Sequence, residues 1–293
     1  MFDIATSEHI VAPVSKTGSG LYYKPHFIHP QERQEILQFL CALHPLWEKR
    51  YSANNPPPAG KTQRELLRPV YWLGNWQFAC LGYYHPPKGL FNRSVRAEAY
   101  PPVIAEVVSR IENFVRDNFA EKDIPRGWRL NTCLVNFYGN KLENGKQVDA
   151  ARVGEHKDFE PGPIGSVSFG EKALFQFVAS AHREAQSRVV IQQWLEDSSL
   201  QVFGGDKFKK QFFHRVQRVE NKKQNSSFTL ATKNFTTRRL NLTFRYVPEE
   251  HIVPLQKLPQ PLQKDISEYV QELSLNSPFW KDSLQSLAGP TEL

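Results

Sequence analysis

Residues 154–162 read GEHKDFEPG and place His156 two positions before Asp158 and four before Glu160. Side chains of an extended chain alternate between faces, so these three project together while Lys157 and Phe159 project the other way. An imidazole beside a carboxylate can chelate a divalent metal. The same His-x-acid spacing recurs at His182-Arg183-Glu184, inside SAHREAQSR, a polar stretch without strand alternation that reads as a solvated loop. Spacing alone therefore leaves a polar strand edge and a metal site both open. Further along, TRRLNLTFRYV sets Arg239, Asn241, Thr243 and Arg245 on one strand face and Leu240, Leu242 and Phe244 on the other. If that polar face looks into a barrel mouth, its two guanidinium forks suit a small dianion with a carboxylate at each end, since each fork binds a carboxylate at two points. If it looks out to solvent, it calls for no ligand. CLVNFYG repeats the device with Asn136 and Tyr138 on a shared face.

The elements that must position these groups are legible as changes of period. PHFIHPQERQEILQFLCALHPLW opens with a turn at Pro30 and spaces Ile36, Leu37, Leu40 and Leu43 for a helix from about Gln31 to Leu43. AYPPVIAEVVSRIENFVRDNF predicts a second helix after Pro101-Pro102, with Ile104, Val107, Val108, Ile111 and Val115 on one side. Between them, RPVYWLGNWQFACLGYYHPPKGL reads as an aromatic hairpin around Leu-Gly-Asn, followed by a loop. From Arg129 the pattern changes: 129–138, 165–178, 189–195, 200–203, 212–219, 228–232 and 239–247 are β-rich runs separated by polar or glycine turns, as in an all-β sandwich or barrel. GNKLENGKQVDAARVGE, before His156, reads as a long hydrophilic insertion.

A chain of 293 residues with 40% hydrophobic content bounds a soluble globular protein of one large domain or two ordinary ones. Its apolar runs fall short of the roughly 18 residues of a membrane helix, and the acidic opening MFDIATSEHI lacks a basic leader, so a cytoplasmic location without membrane partner is expected. Cys41, Cys80 and Cys133 are isolated and odd in number, which predicts reduced core thiols. Gly60-Lys61-Thr62 fails as a phosphate loop, because Asn55 stands where a glycine is required and three prolines replace the strand. The net charge of +7 suits a polyanionic partner. In KFKKQFFHRVQRVENKK, 207–223, seven cations surround Phe208, Phe212 and Phe213. Such a segment suits phosphates and unstacked bases, and equally a solvated strand and hairpin whose phenylalanines face the core.

NFY at 136–138, HKD at 156–158, GSVSFGEKALFQF at 165–177, the lone His214 in QFFHRV and RLNLTFR at 239–245 occur in the order and relative spacing of the AlkB family. The chain thus resembles the iron(II)- and 2-oxoglutarate-dependent dioxygenases that repair alkylated nucleic acid bases. The resemblance spans roughly Asn131 to Val247, with weaker echoes of the family's nucleotide-recognition lid in FACLGYYHPP. It implies a mainly β chain with flanking helices (α+β) around a double-stranded β-helix, or jelly-roll, core at 127–248. Residues 1–126 would form an N-terminal helical region with the lid at about 64–100, and 249–293 a C-terminal appendage. His156, Asp158 and His214 would then hold Fe(II) as a facial triad, leaving positions for 2-oxoglutarate and O2. By the same resemblance Arg239 meets the distal carboxylate of 2-oxoglutarate, helped by Tyr138 and Asn241, while Arg245 lies near the C1 end with Asn136. The cosubstrate is converted to succinate and carbon dioxide, and the hydroxylated alkyl group leaves as an aldehyde. Implied substrate contacts are Glu160, where the family has a shorter acid, Tyr83 or Tyr84 from the lid, and Arg183 with His182 from a basic loop. A longer Tyr138–His156 stretch, Arg215 in place of a small residue, and extra sequence at both ends imply a remodelled barrel mouth. The expected partner is alkylated DNA or RNA, met by a monomer. Hydroxylation of a protein side chain or small molecule, and non-enzymatic nucleic acid binding, use the same fold.

Overall fold

A computed structural model describes residues 20–50, 64–77, 94–179, 187–217, 230–232 and 234–287. The period-two runs form two antiparallel sheets. The large one orders its strands Leu21–Lys24, Ser199–Phe203, Ile164–Gly170, Phe235–Arg245, Thr132–Glu143 and Val70–Leu73, with Leu230–Thr232 and Lys146–Asp149 attached. The small one orders Arg188–Leu195, Ala173–Ala179, Phe213–Gln217 and Val153–His156. Neighbours in space are distant in sequence, and the chain alternates between sheets, as a jelly roll requires. The β run expected at 165–178 is in fact two strands in different sheets. Gly170, at φ 83°, lets the chain turn out of one and into the other.

Alternation then sorts side chains into layers. Leu240, Leu242 and Phe244 face outward into a core shared with helices Pro30–Ala42, Pro102–Asn118 and Gln260–Ser274. Both predicted helices stand within about a residue or two of their expected bounds. A second cluster, built from Leu21, Ile164 and Phe203 of the large sheet and Phe175, Phe177 and Leu195 of the small one, glues the inner faces together. Strands 21–24 and 70–73, upstream of the expected core boundary, pair with strands inside it. Beyond 248, Ile266, Val270, Leu273 and Trp280 join the larger cluster, where Trp280 packs edge-on to Trp76.

Three local expectations are corrected. The hydrophilic stretch after Tyr138 is a hairpin: the strand runs on to Glu143, turns at Asn144-Gly145 with φ 50° and 74°, and returns as Lys146–Asp149. Successive positive φ angles are what an Asn-Gly two-residue turn supplies. The aromatic segment 70–77 is not a hairpin, since Val70–Leu73 pairs with Thr132–Glu143 whereas Asn75–Gln77 pairs with Ser94–Arg96. Gly74 turns the chain between them at φ 75°, and a Cβ there would lie 2.3 Å from the Asn131 carbonyl oxygen. Finally, Cys133 is a buried thiol whose pKa burial pushes up, but Cys41 is exposed, and Cys80 lies outside the described residues. No helix among the described residues is long and apolar enough to cross a membrane.

Candidate active site

The small sheet and the loop after its edge strand bring together the three candidate metal ligands. His156 ends its strand and His214 stands directly opposite on Phe213–Gln217, with ring centroids 4.2 Å apart. Asp158 was expected to continue the strand. Instead it occupies the loop that follows, where it remains buried and its Oδ2 lies 3.2 Å from His214 Nε2. One ligand atom from each of the three lies within 4.8 Å of the others. The His156 ring is oriented by its own strand: Nδ1 donates to the Gly154 carbonyl at 2.8 Å, which leaves Nε2 as the lone pair. Burial and the neighbouring His214 push the His156 pKa down to about 3, so the imidazole is in its neutral, ligating form. Burial alone would raise the Asp158 carboxyl, but Arg245 and His214 hold it well below the usual carboxylate range. The Phe175 ring stacks on His214 at 5.4 Å and excludes water from that side.

On the reverse of the same sheet, alternation places Glu155 and Arg215. Their ion pair, Nη1 to Oε1 at 2.9 Å, is buried and spans the two ligand-bearing strands beside the irregularity that follows His214. Arg215 Nε also donates to Gln176 Oε1 at 3.0 Å. The departure noted at Arg215 is thus part of the back of the sheet, not of the barrel mouth.

Across the cleft the large sheet presents Arg239, Asn241 and Arg245. Arg239 stands opposite Tyr138 in register, and Asn241 opposite Asn136. Arg239 Nη2 donates to Ser168 Oγ at 3.0 Å, while its Nε and Nη1 are buried without a partner. Asn241 Nδ2 donates to Ser166 Oγ at 2.9 Å and its Oδ1 accepts from Thr243 Oγ1 at 2.8 Å, which fixes the amide's orientation. Arg245 turns toward the metal-ligating loop: Nη2 reaches Asp158 Oδ1 at 2.8 Å and Nε lies 3.6 Å from Glu160 Oε1. Histidines, arginines and amides from both sheets line one cleft.

Glu160, an implied substrate contact, is 5% exposed, with Oε2 buried and unpartnered. Tyr83 and Arg183, like Tyr84 and His182, lie outside the described residues. Two groups escaped the sequence reading. Arg68 is buried, donates from Nε to Asn136 Oδ1 at 2.7 Å, and lines the cleft. Lys209 belongs to the basic segment for which a phosphate-binding surface and a solvated strand and hairpin were both open, and either would leave its ammonium in water. It sits in the π turn Lys207–Gln211 with its stem partly exposed and Nζ buried without a partner, the reverse of the usual arrangement in which the ammonium reaches water. Burial pushes its pKa down to about 8 despite the pull of Asp158 and Glu160.

These residues fit a metal and a dianion. Three convergent ligands, one ring pre-set by its tautomer, and a guanidinium with two buried N–H donors left over are an arrangement that a cation and a carboxylate complete. His156, Asp158 and His214 would hold the metal, and Arg239 with Tyr138 and Asn241 the distal carboxylate. When bound, Fe(II) supplies dioxygen activation coupled to decarboxylation of 2-oxoglutarate. The chain's own part is to keep His156 unprotonated, hold the Asp158 carboxylate against Arg245, and wall the site with Phe175.

A search of curated proteins finds no match. Among solved structures, one of OsALKBH1 is 19% identical, with 79% of this chain and 100% of that chain covered at a TM-score of 0.45. The ribosomal oxygenase YcfD from Escherichia coli, in complex with cobalt and succinic acid, is 14% identical, with 64% of this chain and 44% of that chain covered at a TM-score of 0.25. Likenesses this distant do not bear on substrate. The family comparison does reach a class: the model described as the 2OG-Fe(II) oxygenase superfamily matches residues 20–245, a span that holds both sheets and every ligand above. The chain belongs to that superfamily and is a dioxygenase that uses Fe(II), 2-oxoglutarate and O2.

Proposed function

We propose that this dioxygenase removes alkyl groups from the nitrogens of nucleic acid bases. The observation that carries this reading is the strand Phe235–Arg245, whose RLNLTFR resembles the AlkB motif and turns Arg239, Asn241 and Arg245 inward, toward His156, Asp158 and His214. The excess of cations supports it, because a +7 chain is drawn to phosphate backbones. Glu160, two residues past Asp158 and buried, supplies a carboxylate beside the metal ligands. In this reading the alkyl carbon is hydroxylated, one oxygen atom of O2 going to it and the other to succinate, and the resulting hemiaminal releases an aldehyde and the free base.

One observation favours a second reading, hydroxylation of a protein side chain or small molecule. Within the basic segment the expected surface is depleted: Phe208 packs in the inner core, the Lys209 ammonium is buried, Lys210 pairs with Asp206 at 2.7 Å, and Arg215 is held by Glu155. A panel of N-methylated DNA and RNA oligonucleotides, incubated with Fe(II), 2-oxoglutarate and O2 and read by mass spectrometry, decides between them. Demethylated base matched by succinate is the expected result. Succinate formed without loss of methyl from any oligonucleotide would move the assignment to the second reading.

A further inference from the structure

Two guanidiniums, not one, close on the ring of Tyr138. Arg239 lies 4.7 Å from its centroid and Arg68 lies 4.9 Å away. Arg68 comes from the segment leading into the edge strand Val70–Leu73, outside the stretch that carries the AlkB resemblance. It is 7% exposed, and its hydrogen bond goes to a neutral amide, the Oδ1 of Asn136. Among the described residues, no carboxylate lies within ion-pair distance of Arg68 or of Arg239. The buried acids around them are already engaged elsewhere: Asp158 and Glu160 with Arg245, and Glu171, which acts on Arg239 through space, with Arg238 at 3.0 Å.

Two buried cations facing one cleft repel each other, and each has given up much of its hydration. An arrangement of this kind is completed by an anion that enters the cleft. Arg245 meets Asp158 beside the histidines, whereas Arg68 and Arg239 both lie over the Tyr138 ring, with Arg68 also reaching Asn136. We propose that Arg68 is a cosubstrate-binding residue that acts with Arg239 on the distal carboxylate of 2-oxoglutarate. A carboxylate offers about four lone-pair directions, so the two unpartnered nitrogens of Arg239, Nε and Nη1, leave it able to interact with a second cation. Even without direct contact, a second charge several Ångströms away in a partly desolvated cleft changes affinity by about tenfold.

The test measures 2-oxoglutarate binding by calorimetry on the full-length protein loaded with Mn(II) as a redox-silent metal. Arg68→Met removes the cation; Arg68→Gln removes it while keeping an amide that can donate to Asn136. Both variants are expected to bind 2-oxoglutarate about tenfold more weakly. The same variants should bind 2-oxobutyrate, which has the C1 and keto groups but no distal carboxylate, as wild type does. The melting temperature of ligand-free Arg68→Gln should not fall, since a repulsive charge has been taken away. An affinity for 2-oxoglutarate within about twofold of wild type in Arg68→Gln would make Arg68 a packing residue and overturn the proposal. An equal loss for both oxo acids would overturn it as well, by placing the effect at the C1 end or on the fold.

Discussion

Both faces of the small sheet bury ionisable groups, and they treat them in opposite ways. On the back, Arg215 and Glu155 are matched with each other, and Ser187 Oγ donates to Glu155 Oε2 at 2.9 Å. On and beside the front, His214 Nδ1, Glu160 Oε2 and Lys209 Nζ are buried without partners, and Arg239 Nε and Nη1 face them across the cleft in the same condition. A buried polar atom left unmet costs about 1–3 kcal/mol. The back face therefore contributes to holding the chain together, whereas the front face carries a deficit, of which the part at Arg239 is what a bound carboxylate would remove.

The contrast is tested most severely at the metal ligands. Replacing His214, His156 or Asp158 by Ala should weaken Mn(II) binding more than about a hundredfold and abolish turnover, since even residues behind the ligands cost 10–100-fold. His214→Ala should leave the metal-free protein folded, because the ring it removes was imperfectly satisfied. Undiminished metal affinity in that variant would refute its assignment as a ligand. The back face should respond in stability instead. Arg215→Met takes the cation away from the buried Glu155 carboxylate and should destabilise the fold by about 3–5 kcal/mol in urea titrations, while Glu155→Gln combined with Arg215→Met recovers most of the loss. If the double variant folds well yet cannot hold Mn(II), the two faces are not separable in this way.

The smallest expected effect is a gain. Lys209 has a pKa of about 8 in the fold and an ordinary lysine value when unfolded. Between those two values the unfolded chain binds more protons, so stability rises with pH through the window from about 8 to 10.5 and the full cost is felt below it. Lys209→Met should stabilise the metal-free protein at pH 7 by on the order of 2 kcal/mol and flatten that rise. A melting temperature for Lys209→Met below wild type at pH 7 would mean that the ammonium is matched after all.

How much of this could be read from the chain depended on whether a contact follows from a period. RLNLTFR declared its two faces because a strand alternates, and the structure puts Leu240, Leu242 and Phe244 in the core and the polar set in the cleft. The His-x-Asp spacing by itself left a strand edge and a metal site both open; the resemblance to the AlkB family added His214, and Asp158 reaches the histidines from a loop, not by alternation. The Asn144-Gly145 turn carried a hairpin signal, but its strands extend past the core, where Leu142 and Val148 are exposed, so no apolar alternation announced them. The burial of the Lys209 ammonium fits neither reading of the basic segment, because a π turn follows neither the strand nor the helix template, and it winds Phe208 and the lysine head inward. Arg68 lies 68 residues from the Asn136 it contacts, in a segment without periodicity, and nothing local marked it.

One feature of the small sheet ties these observations to folding. His156 and His214 are cross-strand neighbours, and Glu155 and Arg215 occupy the adjoining positions on the opposite face. Sliding one strand by a single residue would send its imidazole to the back and bring its charged neighbour to the front, because every side chain in a slipped strand changes face. The iron site and the ion pair thus share a reading frame and are won or lost together. A chain that has paired these strands wrongly can hold neither, so capture of the metal doubles as a report that the sheet has been assembled in frame.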